Sequence, residues 1–278
     1  MIPEHEPEPR PPLSLEFVSV LALLAPLIHL LWVILLGRIG LQLVISALGM
    51  GALITYGGLF ALCAARFRQP PGRQLALGRA PASAWLAVLF LAASIVVTSE
   101  IDNVVKSLLP PPPMPSQVPE APPYFGAALA IVYIGVYPLV YDVFFRGIYQ
   151  PLATTRIGVV LGVILTALVS GFAGAFLPAM MSSGLWALVP GLLNALILCI
   201  LRQSGGSLWP VLALNALWGV AQICAQYKVF GIAGFDAGGD HTPALWVAGA
   251  ALLTGVGLGL CRTAARAGSA RSSSPAQG

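Results

Sequence analysis

Residues 14–36 read SLEFVSVLALLAPLIHLLWVILL, and Glu16 is the only Asp, Glu, Lys or Arg in that length. A bilayer's ~30 Å hydrocarbon core takes about 20 helical residues to cross, so this stretch has the length and polarity of a membrane span. Working outward from it, comparable apolar runs recur near 40–64, 83–108, 124–149, 157–180, 184–202, 208–228 and 244–262. The chain therefore reads as an all-α polytopic membrane protein, a bundle of about eight transmembrane helices. Bulk composition agrees: 58% of the 278 residues are hydrophobic and 9% are charged, against roughly 25% charged in a soluble domain, and the mean hydropathy is +0.87. Soluble enzymes, extracellular modules and nucleic-acid binders are excluded as readings of the whole chain. The lipid bilayer is its first partner, and nucleic acid is not expected as one.

The joints carry the usual punctuation. Residues 1–12 are Pro-rich, with Glu4, Glu6 and Glu8, and lack the basic start of a secretory signal. They are expected to be a disordered tail, followed by a transmembrane domain over 13–263 and a second disordered tail over 264–278. The PPPPMP run near residue 110 cannot be helical, because proline lacks a donor and fixes φ, and it reads as a stiff strap between the third and fourth spans. With both termini inside, Arg10, Arg66, Arg68, Arg73, Arg79, Arg146, Arg156, Arg202, Arg262, Arg266 and Arg271 lie on the inner side. Arg38, Lys106 and Lys228 are then left outside. That is the positive-inside pattern. Arg supplies twelve of the fourteen cations, which with the Ala and Gly richness suggests a bacterial cytoplasmic membrane.

Gly158-x-x-x-Gly162 and the series Gly255, Gly257, Gly259 are packing signals of helices in lipid. Trp32, Trp85, Trp186, Trp209 and Trp246 fall near span ends, as an aromatic belt does. Cys63, Cys199, Cys224 and Cys261 are too dispersed for a zinc ribbon or a disulfide framework. The informative residues are polar ones at depth, which must find a partner or line a cavity. Asp142 and Arg146 stand four apart, on one helix face, and suit an ion pair. Asn215 suits a bond across helices, and His29, in the first span, suits a satisfied interior histidine. Ser46, Ser94 and Ser170 have no deep histidine as base, so a serine-protease arrangement fails.

The segment Asp142–Gly147, ending Phe145-Arg146-Gly147, resembles the end of the Glu-Glu-x-x-x-Arg-Gly motif of the CPBP family, the CAAX-protease and bacteriocin-processing (Abi-type) intramembrane metalloproteases. Ser207-Leu208-Trp209-Pro210, followed by Leu214-Asn215-Ala216-Leu217-Trp218, is similar to the family's third motif, in which a Ser-Leu/Ile-Trp run leads to His-x-x-x-Asn/Asp. Val169 to Gly174 sits where the family has Phe-Gly-x-x-His. The resemblance covers roughly residues 84–225.

The resemblance implies a water-activating Glu, metal-holding histidines and a terminal Asn or Asp. Carried over residue by residue, the two glutamates fall on Tyr141 and Asp142, the two histidines on Gly174 and Asn215, and the Asn/Asp on Gly219. Only Asp142 and Arg146 keep suitable chemistry. A catalytic zinc takes typically three protein ligands from His, Asp, Glu or Cys, so no metal ligands, no catalytic residues and no cofactor are expected. The expected function is a catalytically inactive pseudoprotease that binds a membrane protein or a lipidated peptide in a cytoplasm-facing cavity. Two alternatives stand beside it: an active CAAX-type metalloendopeptidase with displaced ligands, for which zinc would be the cofactor, and a small-molecule or lipid transporter.

Counted from span starts at ~1.5 Å per residue, Gly174 and Asn215 lie at different depths. They meet only if the fifth helix begins well beyond the membrane edge or the seventh begins inside a cavity. Either arrangement would put Asp142 and Arg146 on a pocket wall.

Overall fold

The computed structural model describes residues 13–38, 44–108, 130–178, 188–229, 231–235 and 240–272. The two expected features at 1–12 and around the PPPPMP run lie outside the described residues, as does Trp186. Every regular element among the described residues is helical. These are α1 (Leu15–Arg38), α2 (Val44–Ala64), α3 (Pro71–Gln74), α4 (Ala82–Leu91), α5 (Ser94–Leu108), α6 (Ile131–Tyr149), α7 (Gln150–Ile157), α8 (Val159–Pro178), α9 (Leu188–Gly205), α10 (Trp209–Gln226) and α11 (Ala244–Ser272).

Six stretches are long and apolar enough to cross a membrane: Leu15–Arg38, Ala47–Ala64, Ala82–Leu108, Val159–Phe176, Leu188–Gly205 and Ala244–Arg266. The chain is an all-α polytopic membrane protein. The other two expected spans correspond to helices α6 and α10, which are not among those six, and each differs from a plain apolar rod. Apolar α10 is short, over Trp209–Ala225. The α6 segment is wound as a π-helix with Pro138 inside it, a winding found mostly as single turns and frequently at functional sites. Pro138 lacks an N–H and crowds the turn before it. The last helix runs to Ser272, so the residues from 264 to 272, read from the sequence as tail, are helical.

Helix α6 is the axis of the fold. It packs on α2 and α10 and also touches α1, α7, α8 and α9. One apolar cluster joins it to α1 and α2 through Ala22, Tyr56, Leu59, Phe144, Phe145 and Ile148. A second joins α4, α9, α10 and α11 through Leu91, Leu198, Leu201, Val211, Leu214 and Cys261. Helices α1 and α11 are peripheral, with 28% and 17% of their spanning windows buried. Their exposed faces carry Leu23, Leu31, Leu245 and Leu252, surface that only lipid solvates well.

Small residues set the closest approaches. A Cβ on Gly162 would stand 2.5 Å from the Thr154 backbone nitrogen, and one on Gly171 would stand 2.8 Å from Leu192 Cα. These two glycines thus hold α8 against α7 and α9. Of the series Gly255, Gly257 and Gly259, only Gly257 meets a neighbour, Leu91 on α4.

Candidate functional site

Helices α6, α8, α9 and α10 line a partly open cavity of about 190 Å³. Tyr137, Tyr141 and Arg146 face it from α6, and Ser170, Gly171 and Gly174 from α8. Gly191, Asn194, Ala195 and Leu198 come from α9, and Asn215, Trp218, Gly219 and Gln222 from α10. Tyr141, Arg146, Gly174, Asn215 and Gly219, scattered over 79 positions of sequence, thus share one wall, and Asp142 is bonded to it. The depth conflict between Gly174 and Asn215 is resolved at the start of α8. Helix α6 continues directly into α7, about two further turns, and the chain reverses at Gly158, whose φ of +87° is open to glycine at no steric cost. Helix α8 therefore begins beyond the end of α6 and climbs beside α7 before Gly174 reaches the level of Asn215.

Asp142 and Arg146 are fully buried, at 0% and 1% exposure. Arg146 Nη1 stands 2.8 Å from Asp142 Oδ1, off the line a hydrogen bond needs, so this contact is electrostatic rather than directional. Asn215 Nδ2 donates to Asp142 Oδ2 at 2.6 Å. Arg146 Nη2 donates to the Ala195 carbonyl at 3.4 Å, and its guanidinium lies 5.6 Å from the Tyr141 ring centroid. Both the ion pair and the interhelical Asn215 bond expected from sequence are present, joined into one network. Two more polar residues extend it toward α9, and sequence reasoning passed over both as polar anchors. Gln150 Nε2 donates to the Cys199 carbonyl at 2.8 Å, and Arg202 Nε donates to the Arg146 carbonyl at 3.1 Å.

Tyr141 is wedged among aromatic rings. Its centroid lies 5.0 Å from Tyr56 and 4.7 Å from Phe145, and its hydroxyl donates to the Ser170 carbonyl. Asn194, missed in the sequence although an amide inside an apolar span is itself the signal, brings a buried Oδ1 to the cavity edge. His29 lies apart from the cavity wall. It is buried, its Nε2 donates to the Leu48 carbonyl at 2.9 Å, and its ring meets the edge of Tyr56 at 5.9 Å, so it is a satisfied interior histidine.

The segments that keep the motif pattern hold a loop. Ser207 Oγ donates to the Gly78 carbonyl at 2.8 Å, the Leu208 amide to Ala76 at 3.1 Å, and Trp209 Nε1 to Leu77 at 3.1 Å. Gly147 admits the same loop, since a Cβ there would stand 2.9 Å from Leu75 Cδ2.

The zinc implied by the resemblance does not fit these residues. Among the described residues, no three His, Cys, Asp or Glu side chains are grouped closely enough to hold a metal ion. The one carboxylate at the cavity, Asp142, is already engaged by Arg146 and Asn215. A phenol, two glycines and an amide at the remaining positions supply neither a ligand set nor a water-activating base.

Residues 123–221 match the family of type II CAAX prenyl endopeptidase Rce1-like proteins. The matched segment, shorter than half the chain, holds every residue of the Asp142 network and all the cavity-lining residues except Gln222. Over that segment the chain is CAAX-protease-like, and its long apolar helices make it an integral membrane protein. No curated protein and no solved structure matches it.

Proposed function

We propose that this CAAX-protease-like protein has kept the cavity of its family and lost the cutting chemistry, so that it binds a segment of another membrane protein or a lipidated peptide without hydrolysing it. One observation carries the reading. The positions that the resemblance assigns to catalysis converge on a single cavity, yet Tyr141, Gly174, Asn215 and Gly219 offer no hydrolytic group there. What persists, Asp142 with Arg146, is committed to a buried pair that ties α6 to α9 and α10. The arginine distribution supports a bacterial cytoplasmic membrane with both termini inside.

The test uses detergent-purified full-length protein, measuring bound metal together with binding and cleavage of a lipid-modified peptide. Saturable binding without cleavage, unchanged by a chelator, is the expected result. One zinc per chain, with cleavage abolished by chelation and by Asp142→Ala, would establish the active endopeptidase instead. Substrate-dependent flux across vesicles containing the protein would establish a transporter.

A further inference from the structure

We infer that the cavity takes the uncharged carboxamide of an Asn or Gln side chain, presented by a membrane-inserted segment of a partner protein; this rests on the binding function proposed above. Three buried polar atoms carry the inference. Ser170 Oγ on α8, Asn194 Oδ1 on α9 and Trp218 Nε1 on α10 each lack a hydrogen-bond partner, and all three residues line the same cavity, where Arg146 adds two unbonded donors, Nε and Nη1, beside its contact with Asp142. Ser170 is 1% and Trp218 4% exposed. Buried polar groups left unmatched destabilise a fold, and three around one space ask for a molecule that answers them together.

Their chemistry selects the answer. An indole N–H only donates, an amide oxygen only accepts, and a hydroxyl does both. A complementary group must therefore both accept and donate. A carboxamide does so from two separate atoms, an acceptor oxygen and a nitrogen with two hydrogens, whereas a carboxylate only accepts, an ammonium only donates and a hydroxyl has a single hydrogen to give from one atom.

Charge points the same way. Arg146 is the one charged residue lining the cavity, and Asp142 Oδ1, 2.8 Å from its Nη1, already balances it. An ionised ligand would enter without a counter-ion of its own, at a cost that an amide avoids. Size is compatible with such a ligand. A cavity of 150 Å³ holds benzene, so about 190 Å³ accommodates one side chain.

The test places full-length protein in phosphatidylcholine vesicles with labelled polyleucine transmembrane peptides carrying a single central Gln, Glu or Leu, and reads association by energy transfer. The Gln peptide should associate at least about tenfold more tightly than either of the others, the loss expected when a buried polar group goes unmet. Asn194→Leu and Trp218→Phe should erase that preference while thermal unfolding confirms the fold. Ser170→Ala, which removes one oxygen, serves as the gentlest variant and should reduce it. Equal binding of the Gln and Leu peptides, or tightest binding of Glu, would overturn the carboxamide assignment and leave the binding function standing. A Gln preference that survives all three substitutions would overturn it as well, because water would then be serving those atoms. If neither these peptides nor lipidated peptides bind, the binding function itself fails.

Discussion

The hydroxyl of Tyr141 occupies the space that a side chain at position 174 would need: a Cβ built on Gly174 falls 2.9 Å from Tyr141 Oη. These are the two positions where the family resemblance would place a glutamate and a histidine, so a bulky residue on α6 is matched by the absence of a side chain on α8. The ring cannot swing aside easily, being packed against Tyr56 and Phe145 and bonded to the Ser170 carbonyl. Gly174→Ala should therefore destabilise the protein by about 1–3 kcal/mol through overpacking. In the Tyr141→Phe background the same change should cost less, and a double-mutant cycle on thermal or denaturant unfolding reads the coupling. Additive effects would show that the two positions are independent.

The buried pair offers a second test. Removing Arg146 leaves Asp142 without its counter-charge, and Arg146→Ala should cost about 3–5 kcal/mol of stability. Replacing both residues, as Asp142→Leu with Arg146→Met, should be milder, since no unpaired charge remains. Expression level and thermal unfolding in detergent measure both. A double variant as unstable as the worse single one would mean that the pair is not a unit.

The span pattern was legible because solvent for the chain is lipid, and a run such as 15–38 has no second reading at that length, whereas Pro178 and the glycines near it left the region after 157 open to being broken into shorter pieces. The continuation of α6 into α7 was not legible, because Thr154 to Arg156 looks like a polar joint, whereas the Gln150 backbone amide bonds the Phe145 carbonyl and the helix runs on to Ile157. At the site, the convergence of Tyr141, Gly174, Asn215 and Gly219 followed from the motif resemblance. Asn194 and Arg202 belong to no motif, and what places them, a carbonyl or a cavity edge across a helix interface, is set by tertiary packing.

The loop held by Ser207 and Trp209 gives a local readout. Ser207→Ala removes the bond to Gly78, and Trp209→Phe removes the bond to Leu77, each worth about 0.5–1.5 kcal/mol. The double variant should expose Arg73 and Arg79 to faster trypsin cleavage in intact protein, without a matching change in helix content. Unchanged cleavage would show that the Leu208–Ala76 backbone bond and the packing of Leu75 suffice to hold the loop.

Sidedness has a direct check. With both termini inside, a reporter fused after Gly278 and one inserted between Pro110 and Pro123 should lie on opposite sides of the membrane, and should give opposite signals from a fluorescent and a periplasm-dependent reporter. Equal signals would remove the eight-span arrangement, because the six long apolar helices alone leave the roles of α6 and α10 open to another threading.

Rebuilding the family's residues should succeed only in a particular order. Gly174→His alone sets an imidazole against the Tyr141 hydroxyl and should unfold or fail to express. Tyr141→Glu alone should be tolerated better in packing, but it adds a carboxyl beside Asp142 and strips the Ser170 carbonyl of its donor. Combined, the two changes exchange bulk on α6 for bulk on α8, and the double variant should be more stable than Gly174→His by a margin visible in thermal unfolding. Asn215→His breaks the bond to Asp142 and belongs last, with Gly219→Asn. If the folded quadruple variant then binds zinc, which the wild-type set of a phenol, two glycines and an amide is not suited to do, the cavity has kept the geometry of a metal site without its ligands. A folded quadruple variant that stays metal-free would instead show that α6, α8 and α10 have shifted relative to one another, and that the cavity is now shaped for something other than hydrolysis.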